Sequence, residues 1–412
     1  MKVLLIHNEY RYPSGEEVVV AQERELLQRA GHQVVTYHRS NWETESDIGL
    51  GQLGLIKRIV WASDSRQAVA RLLASEKPDV VHIHNTFMVI SPSVYSACRD
   101  AGVPVVQTLH NFRLFCPDGF YFRDGHVCED CREHSLWRGL EHACYRNSRS
   151  TTAAVALLLK FHHRLDTWNR AVTFYVACSE FARSRFVAAG LPADRVTVKP
   201  NFMHPDPGRP TGARDYAMFA GRLSAEKGVS TLLHAWSRLK TRIPLMIAGE
   251  GPALTELQAE SHRLDLASVL FEGHLSREQT LATMKGARFL LVPSLWYENF
   301  PMTIVEAFAC GTPVIASRLG SMAEIVQDGR VGLNFATGDA EDLAAKVEWA
   351  WNNPEKTRAL GQEARREYET RYTAEKNYDM LMEIYDSAIQ RRGVQGASLP
   401  REIPNYPQGC RP

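Results

Sequence analysis

The sequence predicts an α/β protein of two doubly wound domains, and three observations carry that prediction. Short apolar runs such as Lys2–Ile6, Val34–Tyr37 and Val80–Asn85 alternate with helical stretches, the pattern of parallel strands joined by crossover helices. The alternation restarts at Tyr216–Ala220, after a stretch holding Pro205, Pro207, Gly208, Pro210 and Gly212. At 412 residues the chain exceeds what one hydrophobic core usually organises.

Composition narrows the function. Hydrophobic residues make up 44% and charged residues 23%, as in a soluble globular protein. A net charge of +1 gives no field to attract nucleic acid, so no nucleic-acid partner is expected. The opening Met1–Ile6 is too short for a signal h-region, and no apolar run has the length of a membrane span. A cytoplasmic protein with mostly reduced cysteines is expected.

In the first domain, Lys2–Ile6 reads as a buried strand, 7–17 as a loop and Val18–Ala30 as a helix closed by Gly31. Ligands in such sheets bind outside the carboxyl ends of the strands, which places Ser14, Gly15 and Glu16 at the site; the bland alternative is a Pro-Gly turn with solvated acids. Residues 50–61 read as a packed helix with a Gly-rich lead, although their mixture of apolar and basic residues also suits a membrane surface. Val80–Asn85 and Val103–Thr108 read as strands, and His110 follows the second directly. Ala153–Trp168 reads as an amphipathic helix with Leu157, Leu158, Phe161 and Leu165 on one face and with His162 and His163 at the surface. Ser179 is read as the cap of a helix to Ala189, and Val196–Asn201 as the last strand of the domain.

Between these elements lie four of the eight cysteines, Cys116, Cys128, Cys131 and Cys144, spaced C-x11-C-x2-C-x12-C. Four thiolates would suit a structural tetrahedral zinc; a disulfide or redox role, or unligated thiols, are the other readings. The same stretch holds Phe120, Tyr121, Phe122, Trp137 and Tyr145 among Arg113, Arg123, Arg132, Arg138, Arg146 and Arg149. Aromatic faces stack on sugars and arginine pairs with diphosphate, but a small satellite core with a basic rim reads equally well.

The second domain opens with strand Tyr216–Ala220 and the loop Gly221–Gly228, in which Arg222 and Lys227 bracket a helix start, a place suited to clamping a diphosphate. Strands are read at Leu245–Ala248, Val269–Gly273 and Ala287–Val292. After the last comes Ser294–Gly311, read as loop and helix, with Glu298 in the loop and Glu306 about one turn inside the helix. The helix start attracts phosphate, and carboxylates accept hydrogen bonds from diols, so the pair suggests a nucleotide sugar. Two solvated acids are the bland alternative.

Glu298-Asn-Phe-Pro-Met-Thr-Ile-Val-Glu306-Ala with Gly311-Thr-Pro-Val-Ile-Ala316, together with Gly221-Arg222…Glu226-Lys227-Gly228, resembles the signatures of the retaining glycosyltransferase family 4. The resemblance implies the GT-B fold: two Rossmann-like domains facing a cleft, with the last helix crossing back to the first. It sets residues 1–205 as an acceptor-side domain with a Cys-rich insertion at 113–150, which some bacterial polysaccharide members share. Residues 206–375 become the nucleotide-sugar domain, 376–392 the crossover helix and 393–412 a flexible tail. It further implies that Arg222 and Lys227 hold the donor pyrophosphate, Glu306 the ribose and Glu298 the sugar hydroxyls. Backbone N–H groups around Phe300 to Met302, flanking Pro301, would position the sugar and the helix start near Thr303 the phosphate, with Gly273 at the base, Gly15 at the diphosphate and acceptor, and His110 at the donor sugar. Many members follow that histidine with Asp, where this chain has Asn111. The implied function is transfer of a hexose from a UDP- or GDP-sugar, without a catalytic metal, to a saccharide or lipid-linked saccharide, in cell-surface polysaccharide synthesis at the inner face of the membrane. The rivals are a non-catalytic nucleotide-sugar-binding subunit and a sugar-nucleotide epimerase.

Overall fold

The computed structural model describes residues 1–11, 15–43, 51–209 and 214–396, with backbone alone at 51–53, 55 and 392–396. Ser14 and most of the expected C-terminal tail lie outside these residues.

The strands in chain order are β1 Lys2–Glu9, β2 Gln33–Ser40, β3 Val80–Asn85, β4 Val105–Leu109, β5 Phe122–Arg123, β6 His126–Val127, β7 Phe174–Ala177, β8 Val196–Val198, β9 Tyr216–Ala220, β10 Leu245–Ala248, β11 Val269–Gly273, β12 Ala287–Val292, β13 Val314–Ser317 and β14 Gly332–Phe335. They form two parallel six-stranded sheets, ordered β2-β1-β3-β4-β7-β8 and β11-β10-β9-β12-β13-β14, and a small hairpin β5-β6. Strands buried on both faces read as continuous apolar runs. That is why β1, β3 and β12 stand out: Val3–Ile6, Val80, Val81, Ile83 and Phe289–Val292 are all buried.

The final helix, Ala374–Gly396, returns to the first sheet. Its Leu381, Ile384, Tyr385 and Ala388 complete a core with Val3, Leu27, Val80, Val106 and Val176.

Several elements differ from the sequence reading. The first helix begins at Gly15 rather than Val18, and Glu16 and Glu17 occupy its first turn, where acidic side chains complement the helix dipole. Helices Ser63–Glu76 and Ser93–Ala101 and strand β14 were not anticipated. The helix Arg149–Arg164 turns Ala154, Val155, Leu158, Leu159 and His162 inward. His162 is therefore buried, not superficial: its ring bonds Thr167 Oγ1 at 2.9 Å and the Val60 carbonyl at 2.8 Å. Leu157, Phe161 and Leu165 face outward, so the expected single apolar face is divided.

Candidate functional site

In each sheet the strand order reverses once, between β1 and β3 and between β9 and β12. Ligands of open α/β sheets bind outside the carboxyl ends at such reversals. The loops there are Gly221–Gly228 after β9 and Pro293–Pro301 after β12.

These two loops are locked together. Gly228 adopts φ +70°, and a Cβ at that position would lie 2.0 Å from the Pro293 carbonyl oxygen, so only glycine fits. Lys227 Nζ donates to Glu298 Oε1 at 2.6 Å and sits 5.4 Å from the centre of the Trp296 ring. Ser294 Oγ donates to the same carboxylate oxygen at 2.8 Å, and Ser321 Oγ to the Glu298 carbonyl at 2.5 Å. Glu298 is thus buried but ion-paired, while Arg222 is exposed and has no hydrogen-bond or ion-pair partner among the described residues. The helix Met302–Ala309 starts after Pro301 without a side-chain cap, leaving N–H groups in its first turn for a ligand. Glu306, half-buried in this helix, has its pKa raised by burial, with Arg277 opposing. Gly273 ends β11, and its carbonyl accepts from Gly249 N at 2.7 Å; the Ala248 carbonyl in turn accepts from Gly221 N at 3.0 Å. Three strand ends thereby form one glycine-lined rim.

The first domain meets this loop directly. Asn299 Nδ2 donates to the Leu109 carbonyl at 2.5 Å, the residue before His110. An added Cβ on Gly15 would stand 3.7 Å from Met302 Cγ. Glu324 of the second domain accepts from the backbone N–H groups of Glu180 at 3.0 Å and Phe181 at 2.7 Å, capping a first-domain helix across the interface. Phe181 packs on Tyr297, ring centres 4.7 Å apart, and Phe120 of the insertion packs edge-on against Trp296, also at 4.7 Å. The structure therefore gathers Gly15, His110, Lys227, Glu298 and Met302 at one interface, with Gly221 and Gly273 on its rim. Asn299, Ser294, Ser321 and Glu324 were missed in the sequence because their partners lie across the interface or behind the loop.

His110 Nε2 lies 2.9 Å from His84 Nδ1. Burial, then neighbouring His7, His82 and Lys199, hold the His110 pKa well below the usual imidazole range, so the ring is neutral near pH 7. Behind it Glu23, His82 and His84 bring donor atoms within 4.8 Å of one another, all buried. Lys199 already brings a cation to that carboxylate, 2.5 Å away.

In the insertion, Arg113 donates to the carbonyls of Pro117 and Asp118 and lies over Phe87. Arg123 pairs with Asp130, Arg132 with Glu129 and Glu133, and Arg138 with Glu141. These four guanidiniums serve the insertion itself, since nearby acids and carbonyls satisfy them, which favours the satellite-core reading. Cys116, Cys128, Cys131 and Cys144 share one neighbourhood. The Cys131 thiol is pushed up to about 12, first by burial and then by Cys116 and Cys144. No three of their sulfurs lie within 4.8 Å of one another among the described residues, whereas a zinc tetrahedron sets sulfurs about 3.8 Å apart.

A family profile described as glycosyl transferases group 1 matches residues 205–367, and one described as Glycosyltransferase Family 4 matches residues 13–206. The chain belongs to the group 1, family 4 glycosyltransferases. Along nearly its whole length, this family 4 chain is 26% identical to a phosphatidyl-myo-inositol mannosyltransferase of Mycobacterium leprae (94% of this chain, 96% of that one). It is 29% identical over 288 residues to a glycogen synthase of Mycobacterium tuberculosis, covering 68% of this chain and 62% of that protein's length. The O-antigen chain mannosyltransferase C of Escherichia coli is 27% identical, over 45% of this chain and 50% of its own. Among solved structures, Anabaena HepE in complex with UDP superposes with a TM-score of 0.66 at 19% identity, over 94% of this chain and all of that one. Sucrose-phosphate synthase of Thermosynechococcus elongatus gives 0.67 at 18%, over 96% and 100%. Both show the GT-B fold. None of the described helices is long and apolar enough to cross a membrane.

Proposed function

We propose that the chain is a retaining hexosyltransferase, taking a sugar from a UDP- or GDP-sugar and passing it to a saccharide carried on a lipid, in cell-surface polysaccharide synthesis. The observation that carries this reading is the Lys227–Glu298 pair standing just ahead of an uncapped helix start that also bears Glu306. Arg222, Lys227 and the N–H groups near Thr303 would stabilise charge gathering on the departing diphosphate. Glu306 would accept from the ribose hydroxyls and Glu298 from those of the sugar. The acceptor oxygen attacks the anomeric carbon from the face the diphosphate leaves, the carbon–oxygen bond to phosphate breaks, and the acceptor proton passes to the leaving phosphate oxygen. Retention follows from that shared face.

The lipid-borne acceptor rests on two supports. The names of the mannosyltransferase relatives specify a phosphatidylinositol and an O-antigen chain. The first domain also exposes Leu157, Phe161 and Leu165 along one helix, a face suited to contact at the inner leaflet. The domain division falls near residue 205 in this reading, and the four insertion cysteines staple their loop around a zinc ion. They fit that ion in kind and in neighbourhood, and the sulfurs would draw together on binding.

The test is thermal shift and donor hydrolysis with a panel of UDP-, GDP- and ADP-sugars, comparing wild type with Glu306→Ala. Stabilisation and slow hydrolysis by one donor, lost in the variant, are expected. Stabilisation without turnover when lipid-linked acceptors are supplied would replace this reading with that of a binding subunit.

A further inference from the structure

Beneath His110 runs a chain of buried polar groups that no local motif announces. His84 stands between His110 and Glu23: its Nδ1 is 2.9 Å from His110 Nε2, and its Nε2 is 3.4 Å from Glu23 Oε2. Neither His84 Nε2 nor Glu23 Oε2 forms a regular hydrogen bond with any described residue, each other included, so the two meet as a close polar contact in which each is the nearest counterpart of the other. The other oxygen of Glu23 accepts from Lys199 Nζ at 2.5 Å. Lys199 also donates to Asn377 Oδ1 at 3.2 Å, and Asn377 Nδ2 to the Pro200 carbonyl at 2.7 Å. His82, 3.7 Å from Glu23, is fixed by Tyr385 Oη at 2.7 Å and Thr108 Oγ1 at 2.8 Å. Asn377 and Tyr385 belong to the crossover helix.

The protons in this chain can be placed. A carboxylate paired with an ammonium only accepts hydrogen bonds. A lone pair on His84 Nε2 would face the lone pairs of Glu23, so Nε2 carries the proton. A neutral imidazole has one N–H, which makes His84 Nδ1 an acceptor. The hydrogen between the two rings must then come from His110 Nε2. His110 Nδ1, which has no hydrogen-bond partner among the described residues, is left with its lone pair.

We propose that Glu23, acting through His84 and held by Lys199 and the crossover helix, is a positioning residue that fixes His110 as the Nε2–H tautomer and so presents Nδ1 as a hydrogen-bond acceptor for a donor hydroxyl. The proposal rests on the reading of His110 as a residue facing the donor sugar. It adds a selection rule: the group set against His110 must be a hydroxyl or amide N–H, and a carboxylate there is rejected by lone-pair repulsion. It also makes the last helix of the chain a support for the site, since removing it would leave Lys199 and His82 without Asn377 and Tyr385.

The test has two readouts. In the full chain labelled with 15N-histidine, at pH 7.5 and without ligand, the ring nitrogens of His110 should resonate as a locked pair, Nδ1 in the lone-pair range and Nε2 in the protonated range. In His84→Leu that pattern should collapse to the averaged shifts of an exchanging ring. With the donor that passes the panel above, His84→Leu should lower kcat about 10- to 100-fold with KM little changed, by analogy with the loss seen when the outer partner of a metal-ligating histidine is removed. His84→Asn, whose Oδ1 can accept where Nδ1 did, should recover to within about 5-fold. The double change Glu23→Gln with Lys199→Met removes the buried charges together and should reproduce the averaging without leaving one charge unpaired. A His110 proton on Nδ1, averaged shifts in the wild type, or no rescue by His84→Asn would overturn the proposal. A locked tautomer in a chain that neither binds nor hydrolyses any donor would uphold the network and remove the donor reading instead.

Discussion

Replacing Lys227 with methionine separates the two tasks assigned to its charge. In the unliganded chain, its ammonium lies 2.6 Å from Glu298, whose side chain is 7% exposed against 24% for the lysine. Breaking a fully buried pair costs about 3–5 kcal/mol, and partial exposure of the lysine lowers that to about 2 kcal/mol. The Glu298 carboxylate would keep only the Ser294 hydroxyl at 2.8 Å among the described residues. Adding Glu298→Gln removes the stranded charge and should return about 1 kcal/mol of that loss. Catalysis should behave differently. Loss of a cation at the leaving diphosphate costs about 10²–10³ in kcat, and the second substitution cannot restore it. Urea unfolding followed by tryptophan emission reports the first effect, since the chain carries eight tryptophans, one of them Trp296 at 5.4 Å from the lysine nitrogen. Nucleotide release reports the second. Stability losses that simply add would show that the pair does not form in solution, and an unchanged kcat in Lys227→Met would refute the clamp.

Other outcomes follow from the same geometry. Gly228→Ala should lower stability by at least about 1–2 kcal/mol for its left-handed backbone and raise the donor KM as the Pro293 loop shifts, read by thermal melting and steady-state rates. Glu324→Ala removes two charge-assisted bonds to the helix start at Glu180 and should cost about 1–2 kcal/mol, seen as faster proteolysis between the domains. Burial lowers the His82 pKa to about 4, with Glu23 opposing. Its contribution is therefore present above the ordinary value near 6.5 and lost as pH falls towards 4, because the unfolded chain takes up the proton first. The melting temperature of wild type should drop more steeply than that of His82→Gln across that window. Purified chain should carry about one zinc, measured by mass spectrometry, and Cys131→Ser or a strong chelator should remove it and lower the melting temperature.

The parts of the molecule that were legible in the sequence are those whose information is local. Strand β12 and the following loop and helix announce themselves within about two dozen residues, by an apolar run, proline breaks and a glycine stop. Strand β14 was missed because Gly332 and Asn334 make half of its four residues poor strand formers. The helix Ser63–Glu76 buries only Ser65, Val69 and Leu73, a stripe too thin to read against its polar remainder. The histidine network is spread over Glu23, His82, His84, His110, Lys199 and Tyr385, so only the folded sheet and its returning helix bring it together. The arginines of the insertion were visible as charges, whereas the acids that pair with three of them and the carbonyls that hold Arg113 depend on turns the spacing alone does not define.

The returning helix also bears on how the chain is made. The first sheet is translated by residue 198, but Leu381, Ile384, Tyr385 and Ala388, which cover one of its faces, emerge almost two hundred residues later. Until then a nascent first domain exposes Val3, Val80, Val106 and Val176 and lacks the Asn377 contact to Lys199. Such a half-made chain offers ribosome-associated chaperones a long-lived apolar client. Emergence of the crossover helix then becomes the event that completes the domain synthesised first.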